Sequence, residues 1–232
     1  MTPAQKIPSL AEAASLMAEA ESRNHGPWVQ HSLYAAQAAK LLAAQLPGLD
    51  PEAAYVLGIL HDIGRRAGVT DMRHTLDGYT YLTGLGFDGA AQICLTHSFP
   101  FKNIYAGAGK WDCSEEELQL MEKLLEQVEY SQYDRLIQLC DSLALPSGYC
   151  LVEKRLVDVA LRHGTNPYTI QKWQAFLAIQ QEFEGIIGHS IYSFLPGVID
   201  NTFGLVSSAS SLSSGAPNGP STSAAARKSS SL

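Results

Sequence analysis

Nowhere in this chain do apolar and polar residues alternate with a period of two. They recur instead three and four residues apart, which restricts the fold to packed helices. The helix punctuation agrees. In "DPEAAYVLGIL", Asp50 is placed to cap, Pro51 takes the first helical position and Glu52 stands in the first turn. "SEEELQLMEKLLEQV" offers a capping box between Ser114 and Glu117, followed by a stripe of Leu118, Met121, Leu124, Leu125 and Val128. "NPYTIQKWQAFLAIQQEF" repeats the start signal with Asn166 and Pro167, while His163-Gly164 closes the helix before it. An all-α fold of about eight to ten helices is expected, with no strand required and no internal repeat.

The 232 residues suffice for one sizeable domain, and 46% hydrophobic with 17% charged residues is a globular composition. A formal net charge of -7 argues against general nucleic-acid binding, which needs a basic face, but leaves room for a local basic pocket. Glu12, Glu19 and Glu21 interrupt the stretch where a secretory signal would be apolar. The longest apolar run, "AAYVLGIL", is too short to span a bilayer, so the chain reads as cytoplasmic with no membrane partner. Cys94, Cys113, Cys140 and Cys150 show no zinc-binding spacing and read as reduced thiols. From about Leu205 the text becomes "SSASSLSSGAPNGPSTSAAARKSSSL", the composition of a disordered tail over 205–232.

Histidine and aspartate on the apolar side of a helix must be hydrogen-bonded, paired or metal-bound, because burying them bare costs several kcal/mol. His31 has Ala35, Ala38 and Leu42 at i+4, i+7 and i+11, so it points toward the core. Asp141 shares its face with Ile137 and Ala144. His61 and Asp62 end the run "YVLGIL", and the following Gly64 can terminate that helix so that both side chains reach one point. His74 in "DMRHTLDGYTYL" and His97 in "AQICLTHSFP" fall between them and Asp141, with Ile93 and Cys94 one turn before His97. Singly, each has an ordinary reading as a core, capping or surface residue. Together they form a set of imidazoles and carboxylates, without thiolates, that suits a divalent transition metal such as Mn, Fe, Co, Ni or Zn. A carboxylate such as Asp62 can bridge two ions.

The order His31, His61-Asp62, Asp141, with "HSLYAAQAA", "LGILHDIGR" and "YDRLIQLCDSL" around it, resembles the HD superfamily of metal-dependent phosphohydrolases, defined by H…HD…D on a helical bundle. The resemblance implies an HD domain over 26–145, with 1–25 an N-terminal helix packed on it and 146–204 a helical extension of the same domain. It implies one or two ions: His31, His61, Asp62 and Asp141 around the first, and Asp62, His74 and His97 around the second. The cyclic-dinucleotide branch carries a paired His-His and a Gly-Tyr-Pro motif. Here Ser98 follows His97 and "DGYT" lies elsewhere, which disfavours that substrate.

A metal-activated water attacking a small phosphoester, a nucleotide or a phosphorylated metabolite, fits such a site. Asp62 is then central to catalysis, and Arg65 and Arg66 are candidates for clamping phosphate oxygens, against a reading as helix-end charges. Lys102 and Arg73 are weaker candidates for meeting an anion. His25 is a candidate cover for the pocket, and Trp28, Tyr79, Tyr81 and Phe99 are candidates for a stacking wall. Some HD-type proteins are instead mixed-valence di-iron oxygenases, and the six ligand positions alone do not separate the two chemistries. A non-catalytic nucleotide-binding role is the third alternative.

Overall fold

The computed structural model describes residues 6–205. Among these the chain forms ten α-helices: α1 (Leu10–Arg23), α2 (Pro27–Ala43), α3 (Pro51–Leu60), α4 (His74–Gly84), α5 (Asp88–Thr96), α6 (Glu115–Gln127), α7 (Gln132–Leu143), α8 (Val152–His163), α9 (Thr169–Ile187) and α10 (Val198–Phe203). The fold is all-α. The expected tail, beyond Leu205 itself, lies outside the described residues.

Several local expectations meet their structural counterparts. The Asp50 carboxylate accepts from Glu52 N at 2.8 Å with Pro51 in the first turn, and Ser114 and Glu117 form a reciprocal box. In α6, Met121 and Leu125 are fully buried against Met72, Leu76, Leu95, Phe99 and Ile104. Gly164, at φ 80°, ends α8 in a conformation other residues adopt at a cost.

Three expectations need correction. Asn166 does not cap α9: its Oδ1 accepts from Tyr168 N at 2.9 Å in an Asx turn, so the helix begins only at Thr169. Gly64 does not terminate α3, which ends at Leu60 with His61 as its cap; Gly64 sits instead inside a 3₁₀ turn, Ile63–Ala67. Strands are present after all, as a hairpin of β1 (Ala144–Leu145) and β2 (Gly148–Tyr149), in which Ala144 pairs with Tyr149 and Leu145 with Gly148. Pro146 explains the last case, since it drives Leu145 out of the helical region and stops α7.

Small residues set how closely the helices approach. A Cβ on Gly58 would lie 2.6 Å from the Cα of Ala36, so α2 and α3 cross with their backbones nearly in contact. A Cβ on Gly64 would lie 1.9 Å from the His74 carbonyl oxygen, which places the 3₁₀ turn directly on the start of α4. Both contacts draw together the elements that carry His31, His61, Asp62 and His74.

The core is continuous from α1 to α10. Phe176, Ile179 and Phe183 of α9 and Leu156 of α8 belong to the same apolar cluster as Leu42, Leu57, Leu60 and Leu136. The hairpin is pinned from the far end of the chain, where Asn201 Nδ2 donates to Tyr149 O at 2.9 Å and Thr202 Oγ1 accepts from Leu151 N at 3.0 Å.

Candidate metal centre

Six elements deliver the polar residues to one point. His31 comes from the second turn of α2, His61 caps α3, Asp62 opens the 3₁₀ turn, His74 begins α4, His97 caps α5 and Asp141 lies in the last turn of α7. All but Asp141 are buried. The four histidines share one arrangement. Each uses Nδ1 toward a main-chain carbonyl: His31 to Ala144 O at 3.1 Å, His61 to Gly58 O at 2.7 Å, His97 to Cys94 O at 2.9 Å, and His74 to Asp71 O. A carbonyl can only accept, so Nδ1 carries the hydrogen and donates it, and each Nε2 faces the centre with a lone pair.

The Nε2 atoms converge on the carboxylates. His74 Nε2 lies 3.1 Å and His97 Nε2 3.6 Å from Asp62 Oδ1, while His61 Nε2 lies 3.9 Å from Asp62 Oδ2. On the other side, His31 Nε2 is 2.9 Å and His61 Nε2 3.8 Å from Asp141 Oδ1. Donor atoms of His31, His61 and Asp62 lie within 4.8 Å of one another, and so do those of Asp62, His74 and His97. Asp62 belongs to both groups, one oxygen turned to each.

This donor set fits a cation. His74 Nε2 and His97 Nε2 stand 3.3 Å apart with no hydrogen between them in this tautomer, and His61 Nε2 is buried with no hydrogen-bond partner. Protons do not fill the gap at His61 and His97, because burial drives both imidazoles toward neutrality, His97 down to about 3. Burial would also raise Asp62, but the Arg65 guanidinium foremost opposes it, and the carboxyl is held well below the usual range. Asp141 is likewise held low against its burial when His31 Nε2, 2.9 Å away, carries a hydrogen toward it; a cation between the two would take that hydrogen's place. Neutral imidazoles around ionised carboxylates are the ligand states that first-row divalent metals take.

The two arginines part company. Arg65 Nε donates to Asp62 Oδ2 at 2.8 Å and its guanidinium lines the cavity over the centre, so it both supports the shared carboxylate and faces the pocket. Arg66 is not brought to the site. It forms a two-pronged pair with Glu19 of α1, at 2.8 Å to Oε1 and 2.9 Å to Oε2, and lies over the Tyr81 ring at 3.9 Å. The 3₁₀ turn accounts for this, since at about three residues per turn consecutive side chains leave it some 120° apart.

Other expected contributors are also engaged elsewhere. Lys102 Nζ donates to Glu126 O at 2.9 Å, Arg73 pairs with Glu117 at 2.6 Å, and exposed His25 pairs with Glu21 at 3.3 Å. Phe99 is fully buried and stacks on Trp111, Tyr81 lies beneath Arg66, and Tyr79 lines a separate cavity. Of that expected wall only Trp28 reaches the pocket.

The pocket is a cavity of about 880 Å³ lined by His31, Asp62, His74, His97 and Asp141. Another part of its wall comes from α8 and α9, which contribute Arg155, His163, Lys172, Trp173 and Phe176. Sequence reasoning misses this wall: Phe176, Ile179 and Phe183 follow Lys172 at i+4, i+7 and i+11, the spacing that singles out His31, but that spacing alone does not single out a long side chain that can reach solvent. Asn166 anchors the wall, with Nδ2 donating to Gly107 O at 3.0 Å. All four cysteines are free. Among the described residues no helix is long and apolar enough to cross a membrane.

A family model described as HD domain matches residues 28–145, just over half of the 232-residue chain. No curated protein and no solved structure matches it.

Proposed function

The chain belongs to the HD-domain family, a superfamily of metal-dependent phosphohydrolase type, and from that membership we propose that it hydrolyses a small phosphoester, a nucleotide or phosphorylated metabolite, with a metal-activated water. The observation that carries the reading is the convergence of four imidazole Nε2 atoms on two carboxylates, one of them, Asp62, common to two donor groups. His31, His61, Asp62 and Asp141 would hold one ion, and Asp62, His74 and His97 a second. A bound Mn, Fe, Co, Ni or Zn ion supplies a water of near-neutral pKa and screens the charge of a phosphate.

The chain's own residues do the rest. Arg65 keeps Asp62 ionised and oriented. The main-chain carbonyls fix the four imidazole planes before any ligand arrives, which lowers the reorganisation that binding requires. Trp28, Trp173 and Phe176 give the cavity apolar walls, and about 880 Å³ accommodates an organic group of nucleoside size beside a phosphate. Four free thiols accord with a cytoplasmic location.

The test is metal analysis of the purified protein, then turnover of a phosphoester panel with each of Mn, Fe, Co, Ni and Zn. Bound metal and phosphate release are expected, with both lost in His61→Ala and Asp62→Ala. Unchanged metal content and turnover in those variants overturns the reading. Oxygen uptake by iron-loaded protein without phosphate release replaces it with oxygenase chemistry.

A further inference from the structure

Helix α9 carries a cation that the metal centre does not explain. Lys172 heads the stripe of residues that α9 buries and lines the cavity beside the ligand residues. It is half-buried, and among the described residues no carboxylate comes within ion-pair distance of its ammonium. Its ammonium lies instead over an aromatic face, the Phe176 ring, with Nζ 5.9 Å from the centroid. Holding an ammonium partly away from water, with Asp141 acting on it only from beyond ion-pair distance, lowers stability, so an apolar residue would serve the fold better here. Burial pulls this lysine down to about 8; Asp141 opposes that shift, and Arg155 adds to it.

The surrounding charges sharpen the point. On α8, Arg155 and Arg162 also line the cavity, and both draw on the single carboxylate of Asp158, at 3.3 and 3.0 Å. The α8–α9 wall therefore sets three cations against one carboxylate, while Asp62, Asp71, Asp112 and Asp141 line the cavity elsewhere, so the positive charge is local to this wall. An occupant with its anionic end against α8 and α9 meets that local charge. The missing partner is an anion.

We propose that Lys172, with Arg155 beside it, holds the phosphate group of the substrate from the α8–α9 wall, next to the metal ligands. The inference deepens the phosphohydrolase reading and rests on it for the identity of the anion. A compact ammonium suits a phosphate, which offers oxygens in several directions and changes its geometry during transfer. Both residues lie outside the segment matched by the HD family, so the domain would contribute the metal centre and the extension would contribute the grip on substrate.

Calorimetric titration with inorganic phosphate tests this on metal-free and Mn-loaded protein, for wild type, Lys172→Met, Lys172→Gln, Lys172→Arg and, as control, Lys102→Met. Phosphate affinity is expected to fall about tenfold or more in both neutral variants, to stay within about threefold in Lys172→Arg, and to be unchanged in Lys102→Met. Mn content should be unchanged throughout, and any loss of turnover should fall mainly on KM. Wild-type protein that binds no phosphate, or neutral variants that bind it equally well, overturns the proposal. Neutral variants that both melt below wild type make Lys172 a structural residue and overturn it too. Phosphate bound through Lys172 without hydrolysis of any phosphoester sinks the hydrolase reading alone. Hydrolysis with unchanged phosphate affinity in Lys172→Met sinks this inference alone.

Discussion

Asp62 is shared between two groups of imidazoles, and Arg65 is the side chain that holds it there. Arg65→Gln should therefore weaken metal binding by about 10- to 100-fold, read by competition with a chelator, while the fold persists. Arg66→Ala should leave metal binding as it is and lower the melting temperature modestly, because its partners are Glu19 and Tyr81. Lys172 gives a pH signature. Its folded-state pKa of about 8 lies below the ordinary 10.5, so between those values the folded chain binds fewer protons than the unfolded one. Its unfavourable contribution is thus complete below pH 8 and is relieved as pH rises toward 10.5. Urea titrations should show the stability advantage of Lys172→Met over wild type shrinking across that window. His31 and Asp141 were legible in the sequence because short polar side chains on an apolar stripe have no route to water. Lys172 was not, because a long stem ordinarily carries its charge out to solvent.

At the scale of elements, the ends of α3 and α6 were legible because capping residues act within one turn of the chain. The start of α9 was not, since Asn166 closes a turn of its own and also reaches Gly107, a contact 59 positions away. The β1–β2 hairpin was too short to leave any periodicity. The role of Gly64 was hidden for a related reason: the sequence shows a glycine but not the carbonyl lying against it. Gly64→Ala should force the 3₁₀ turn off α4, destabilise the protein by about 1–3 kcal/mol and separate His74 from Asp62. Denaturant unfolding together with metal stoichiometry checks both effects, and full metal content with unchanged stability would count against this account of the turn.

Over the whole molecule, the metal centre was legible but the cavity above it was not. The six candidate ligands all lie within the segment the HD family matches, whereas α8 and α9 line the cavity from beyond it, through packing far along the chain. That packing runs through Phe183, fully buried in the cluster that also holds Leu42 and Leu136. Phe183→Ala should destabilise by about 3–5 kcal/mol. Unfolding should remain a single transition by circular dichroism and by tryptophan fluorescence, because one apolar cluster runs from α1 to α10. Two separated transitions would show that the extension melts on its own.

The four main-chain carbonyls that receive the Nδ1 hydrogens have a thermodynamic consequence. A carboxylate in that role would lend each imidazole anionic character; an amide carbonyl leaves it neutral. Asp62 and Asp141 are then the only ligands bearing negative charge, too few to balance two divalent ions. Metal filling and oxyanion binding should in consequence be linked, each raising the affinity for the other by the same factor. Titrating metal with and without inorganic phosphate would measure that factor from either direction.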